Sequence, residues 1–206
     1  QMRRAHVHEA TGSRRHHPLL FQPMRQGRFD LLPSGNVEER GHAAANPPVG
    51  GLGFAAVRDT AAWLKHAADS PARVQRALAF GSSQSGRFLR SFLYHGFNAD
   101  ERGRQVLDGA MAHIAGAARL SINERGAQRT ALSMYTTTQF PFATTVQRDP
   151  VTGRIDGLLD NPRARATQPK VMFTNTAVEY WGGGRAAALI HTTPDGKRDL
   201  ALPPNV

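Results

Sequence analysis

Apolar and polar positions alternate in blocks that predict strands and helices in turn from about residue 47 onward. Phe54, Val57, Ala61, Leu64 and Ala68 recur at spacings of three and four, which predicts an amphipathic helix closed by Asp69-Ser70-Pro71. A short apolar run, Ala77-Leu78-Ala79-Phe80, then enters a cluster of small residues, Gly81-Ser82-Ser83-Gln84-Ser85-Gly86. Behind it, Phe88, Leu89, Phe92 and Leu93 form one apolar stripe on a second helix, which Gly96 closes. Residues 106–114 read as a buried strand and 170–175 as another short strand. Between them, residues 117–168 alternate short polar and aromatic pieces without a period, which suits an insertion or lid. Its aromatic residues Tyr135, Phe140 and Phe142, with Tyr180 and Trp181, are expected in the core rather than around an acyl or sugar pocket. Residues 1–46 hold no period and are expected as a poorly ordered basic arm.

Composition narrows the chemistry. The 206 residues include no cysteine, which excludes disulfides, thiolate nucleophiles and cysteine-based zinc sites. The formal net charge is +10, but the basic excess is spread along the whole chain. A nucleic-acid footprint concentrates charge on one face or arm, so no specific nucleic-acid partner is expected, only salt-sensitive attraction to polyanions. No apolar run is long enough to span a bilayer, so a soluble chain is expected. The start, Gln1-Met2-Arg3-Arg4-Ala5-His6, has no apolar signal region behind it and does not begin with Met. It is therefore expected as a piece of a longer chain, cytoplasmic or exported behind an upstream signal. A structural metal site needs four convergent ligands on an ordered frame, so His6, His8, His16 and His17 are expected to bind metal only adventitiously, as part of a mobile basic arm, and neither a resident metal nor a cofactor is expected.

The stretch 77–94 has the strand, tight turn, helix order that presents a serine nucleophile on a strained bend. Such a bend needs small residues two before and two after the serine. Ser83 has Gly81 and Ser85 there, whereas Ser82 has Phe80 before it and Ser85 has Arg87 after it, so Ser83 is the candidate nucleophile. Gly81 to Gly86 also matches the glycine spacing of a phosphate loop. Arg87 and Phe88 stand where that loop needs Lys and Ser or Thr, and Phe cannot ligate magnesium. Gly51-Leu52-Gly53-Phe54-Ala55-Ala56 fits a dinucleotide fingerprint, but Asn46-Pro47-Pro48 ahead of it reads as a turn rather than a strand, which leaves a helix lead-in. Parallel strands put functional side chains on the loops at their carboxyl ends. Glu179 follows a later strand than Ser83 and supplies the acid in the order serine, acid, histidine. The backbone N–H of Gln84, next after the serine, is the first candidate oxyanion donor.

Four segments, 51–59, 81–90, 107–116 and 174–181, together resemble the bacterial α/β-hydrolase domain-containing proteins of unassigned substrate. That group is distantly similar to carbohydrate esterases with the motif Gly-x-Ser-x-x-Gly. The resemblance covers residues 47–206 and implies Ser83 as nucleophile and Glu179 as acid. Asp156 and Asp160, in the insertion, are weaker acid candidates with a solvated loop as their expected role. The family's next segment, a strand ending in Gly-x-Gln-His, would lie beyond Val206. The expectation is thus an incomplete α/β-hydrolase fold. Its early strands are not placed within 1–46, its core runs over 47–206 with the insertion at 117–168, and its last strand with the catalytic histidine is missing. His113 is expected as a core residue, and His191, at the end of a short helix, is the remaining candidate base. The expected function is an esterase-like serine hydrolase acting on a small-molecule carboxylic ester, impaired in the chain as given. The alternative is a non-catalytic basic scaffold for polyanions or a protein partner.

Overall fold

Three parallel strands form the frame that positions the site. The computed structural model describes residues 29–30, 41–42, 52–72, 74–120, 122, 139–181 and 186–206. Its elements run β1 (Phe29–Asp30), β2 (Gly41–His42), α1 (Leu52–His66), β3 (Leu78–Ser82), α2 (Gln84–Tyr94), β4 (Gly109–His113), β5 (Gln147–Arg148), β6 (Ile155–Asp156), β7 (Lys170–Thr174) and α3 (Ala177–Trp181). The chain divides into two compact units, Gln1–Leu52 with Ser121–Arg129, and Gly53–Leu120 with Thr130–Val206. In the first, β1 and β2 pair antiparallel, Phe29 opposite His42 and Asp30 opposite Gly41. The rest of the predicted basic arm lies outside the described residues, as does Tyr135.

In the second unit the strands lie in the order β3-β4-β7, and the register aligns Ser82, His113 and Thr174 on one rung at their carboxyl ends. Side chains alternate across a strand. Ala79, Gly81, Ala110 and Ala112 therefore share one face with Val171 and Phe173, and α2 lies against β3 and β4. These small residues let the helix approach the sheet closely. The other face carries Leu78, Phe80 and Met172, which are 79%, 65% and 58% exposed.

The helix α2 buries more than its predicted stripe. Leu89, Phe92 and Leu93 are buried as expected, but so are Gly86, Arg87, Arg90 and Ser91. The helix α1 buries less: of the predicted stripe only Phe54 is fully covered, together with Ala62, while Val57 is exposed. Phe54 packs at 4.7 Å from the Phe88 ring and 5.4 Å from Phe97. At the far end of α1, Lys65 Nζ donates to the carbonyls of Gln105 and Val106 and to Asp108 at 2.8 Å. Asp108 also accepts the Ala77 N–H at 2.8 Å. One carboxylate thus ties α1 to the entrances of β3 and β4, and a helix held by its two ends does not need a continuous apolar stripe.

Within 139–168, β5 and β6 form an antiparallel pair, and Phe140, Leu158 and Leu159 are buried. Asn161 caps the 3-10 turn Pro162–Thr167 by accepting the Arg163 N–H, and its side-chain amide donates to the Tyr94 carbonyl at 2.9 Å. This part of the predicted insertion is packed against the end of α2. Among the described residues no helix is long and apolar enough to cross a membrane.

Candidate active site

The turn between β3 and α2 is a sharp bend. Ser83 has φ 54° and ψ −114°, a left-handed conformation that L residues with a Cβ rarely adopt. Its N–H donates to the His113 carbonyl at 2.9 Å, so the bend is pinned to the neighbouring strand. Two glycines make room for it. A Cβ on Gly81 would lie 2.4 Å from the Ser85 carbonyl oxygen. A Cβ on Gly86 would lie 3.0 Å from Ala115 Cβ and from the carbonyls of Gly81 and His113. The crowding two residues after Ser83 falls on the backbone of Ser85, so Ser there is tolerated. The position three residues after it, Gly86, carries a second steric requirement, at the place of the last glycine of Gly-x-Ser-x-x-Gly rather than in the small-residue rule two before and two after the serine.

The three serines take different roles. Ser85 Oγ accepts the Ser82 N–H at 3.0 Å and donates to the Ser82 carbonyl at 2.8 Å. Its hydroxyl is a staple across the turn. Ser82 ends β3. Ser83 alone sits on the strained bend, and its hydroxyl makes no capping hydrogen bond to the helix that follows. The N–H of Gln84 opens α2, where the helix dipole favours negative charge. An open cavity of about 500 Å³ lies over the bend, lined by Ser82, Ser83, Gln84, Ser85, Phe88 and Leu120.

Glu179 stands in the first turn of α3, after β7, and β4 separates β7 from β3. It is buried. Its Oε2 accepts the Thr176 N–H at 3.0 Å and the Thr176 hydroxyl. That is the reciprocal half of a capping box, so the carboxylate has a structural duty whatever else it does. His191 ends the 3-10 turn Ala187–Ile190. A hydrogen bond of 2.9 Å joins its Nε2 to the Tyr180 hydroxyl, and its Nδ1 lies 3.4 Å from Asp199. His113 is half-buried, with Nδ1 2.8 Å from Thr174 Oγ1 and its ring stacked on Phe80. Asp156 bonds the Tyr94 hydroxyl at 2.7 Å and pairs with Arg154, while Asp160 pairs with Arg165 at 3.0 Å. Among the described residues no group of three or more His, Asp or Glu converges as metal ligands would.

Periodicity gave no sign of what backs the bend. Arg90 is fully buried and donates to the carbonyls of Ala117, Ala118 and Phe142 at 2.8, 3.2 and 2.6 Å. Burial, and then the neighbouring charge of Arg119, lower its pKa to about 9. Ser91 Oγ donates to Arg87 and accepts the Leu120 N–H at 2.7 Å. The helix behind Ser83 therefore fixes the 117–120 loop that forms one wall of the cavity. An arginine on a helix normally reads as surface, so the sequence carried no signal for Arg90.

No curated protein and no solved structure matches the chain. A family model described as an alpha/beta hydrolase domain matches residues 17–197, a span that takes in the bend, the three parallel strands and Glu179. The chain belongs to the alpha/beta hydrolase domain family.

Proposed function

We propose that this hydrolase-type domain is an esterase-like serine hydrolase with Ser83 as nucleophile. One observation carries the reading: a non-glycine residue with φ 54° holds a hydroxyl free of capping bonds at the carboxyl end of a parallel strand. Strain of this kind costs about 1–3 kcal/mol and persists where the position of the side chain matters. In the reaction, Ser83 Oγ bonds to the ester carbonyl carbon and loses its proton to an imidazole. The tetrahedral oxyanion collapses, the alcohol leaves with that proton, and water later frees the acid from the acyl-enzyme. The Gln84 N–H faces the oxyanion; one such donor is worth about 3 kcal/mol. Glu179 orients the imidazolium. We do not assign His191 as the base, because the Tyr180 hydroxyl already engages its Nε2.

A fluorophosphonate probe with peptide mapping tests the reading. Labelling on Ser83 that disappears in Ser83→Ala supports it; labelling that persists in the variant overturns it. The basic-scaffold alternative, drawn from the +10 net charge, expects tight polyanion binding at physiological salt, unchanged in Ser83→Ala.

A further inference from the structure

We infer that Phe88 and Leu120 form an apolar subsite that selects esters with an uncharged, apolar acyl group. This rests on Ser83 being the nucleophile. On a chain of net charge +10, none of the six described residues that line the cavity over the bend is charged. Four of these six, Ser82 to Ser85, are Ser83 and its immediate chain neighbours, so the group lodged there is the one bonded to Ser83. That group is the acyl part, because the alcohol departs when the acyl-enzyme forms.

The two carbon walls are both held in place. Phe88, on α2, packs tilted against Phe54 at 4.7 Å and stacks on Phe92 at 6.3 Å. Leu120 is fixed by its N–H on Ser91 Oγ at 2.7 Å, and Arg90 clamps the two alanines ahead of it. A wall fixed from behind discriminates by shape as well as by polarity. Each buried methylene is worth about 0.8 kcal/mol, roughly a fourfold change in rate, so a few methylenes separate substrates by tenfold or more.

The test uses two phosphonate probes with the same fluoride leaving group, one carrying a butyl chain on phosphorus and one a carboxyethyl chain. In each, Ser83 Oγ bonds to phosphorus, fluoride leaves, and the serine proton passes to solvent. Rates are corrected for each probe's own hydrolysis in buffer. The full chain is expected to react with the butyl probe at least tenfold faster. Leu120→Gln, similar in length but polar, is expected to lower that ratio at least fivefold, and Leu120→Met to keep it. Thermal melts identify a variant that fails to fold, and the wild-type ratio stands without either variant. Equal rates for the two probes, or a ratio unmoved by folded Leu120→Gln, overturn the subsite while leaving Ser83 as nucleophile. No labelling by either probe overturns both.

Discussion

The Ser83 N–H reaches the His113 carbonyl at 2.9 Å, and this bond fastens a left-handed serine to the strand beside it. The surroundings hold Ser83 in a conformation its Cβ disfavours. Glycine adopts that conformation without the steric cost, at an entropic cost of about 0.5–1 kcal/mol in the unfolded chain, whereas alanine keeps the strain. Ser83→Gly is therefore expected to be more stable than Ser83→Ala by about 1 kcal/mol in urea denaturation. Both variants lose the hydroxyl. A Gly variant less stable than the Ala variant would show that the bend stores no strain.

Gly81 and Gly86 make that bend possible, and their contacts rank them. The Cβ of Gly81→Ala meets a backbone carbonyl oxygen at 2.4 Å, and neither partner can turn aside. The Cβ of Gly86→Ala meets three atoms at 3.0 Å, which small shifts relieve. Overpacking of this sort costs about 1–3 kcal/mol, so Gly81→Ala is expected near or above the top of that range and Gly86→Ala near the bottom. Urea midpoints at equal m-value give the comparison. The reverse order would mean that the chain relaxes at Gly81 and that the bend is looser than its contacts imply.

Much of this site was legible in the sequence because it depends on local backbone sterics. The run 77–80, the small residues 81–86 and the stripe 88–93 name a strand, a bend and a helix from their own composition. The structure places β3 at Leu78–Ser82 and α2 at Gln84–Tyr94. Contacts distant in sequence were not legible. Nothing near Arg90 announces the carbonyls of Ala117 and Phe142, and nothing near Leu120 announces Ser91. The stripe read on α1 was too wide for a similar reason: Lys65 and Asp108, 43 positions apart, do part of the work assigned to apolar packing.

Arg90 makes a test of geometry against charge. Its guanidinium serves three carbonyls at once and has no carboxylate among its bonded partners. A buried carbonyl left unpaired costs about 1–3 kcal/mol. Arg90→Met is expected to lose about 3 kcal/mol, some of the cost being offset by removing a desolvated charge. Arg90→Lys keeps that charge, but its single ammonium cannot span all three carbonyls, so it is expected to be no more stable than the Met variant. Recovery of most of the stability by lysine would show that the charge, not the fork, is what the loop requires.

Glu179 has a capping role on the page and a catalytic role in the proposal, and Glu179→Gln separates them. Glutamine retains an oxygen to accept the Thr176 N–H. Stability is expected to stay within about 0.5 kcal/mol, since even a lost cap typically costs only about 1 kcal/mol. If Glu179 orients the histidine base of the proposal, losing its negative charge is expected to lower the rate of base-assisted Ser83 acylation by about 10⁴, the scale seen when a triad carboxylate becomes an amide. If both quantities hold steady, Glu179 is a cap only and another acid orients the base.

His95 gives the fold a dependence on pH. Its ring lies 5.0 Å from Tyr94 and 5.7 Å from Phe54, and burial, reinforced by the charge of Arg119, lowers its pKa to about 4. In the unfolded chain a histidine binds its proton near pH 6.5. Between these values the unfolded state holds more protons than the folded one, so stability falls as the pH is lowered from about 6.5 to about 4. The same rule places the aspartates elsewhere. Burial works to raise Asp100, Asp108 and Asp149, but their hydrogen bonds to Arg104, Lys65 and Thr152 hold each below its usual range. Their contribution is lost only as the pH falls below about 4, where the unfolded carboxylates take up protons. Part of the His95 ring still meets water, which screens the effect, so the loss from pH 7 to 4.5 is expected to be about 1 kcal/mol rather than the full linkage value. Denaturant titrations of wild type and His95→Gln across this range measure it. The variant is expected to give the flatter profile between pH 6.5 and 4.5, and equal slopes would place the titrating group at another position.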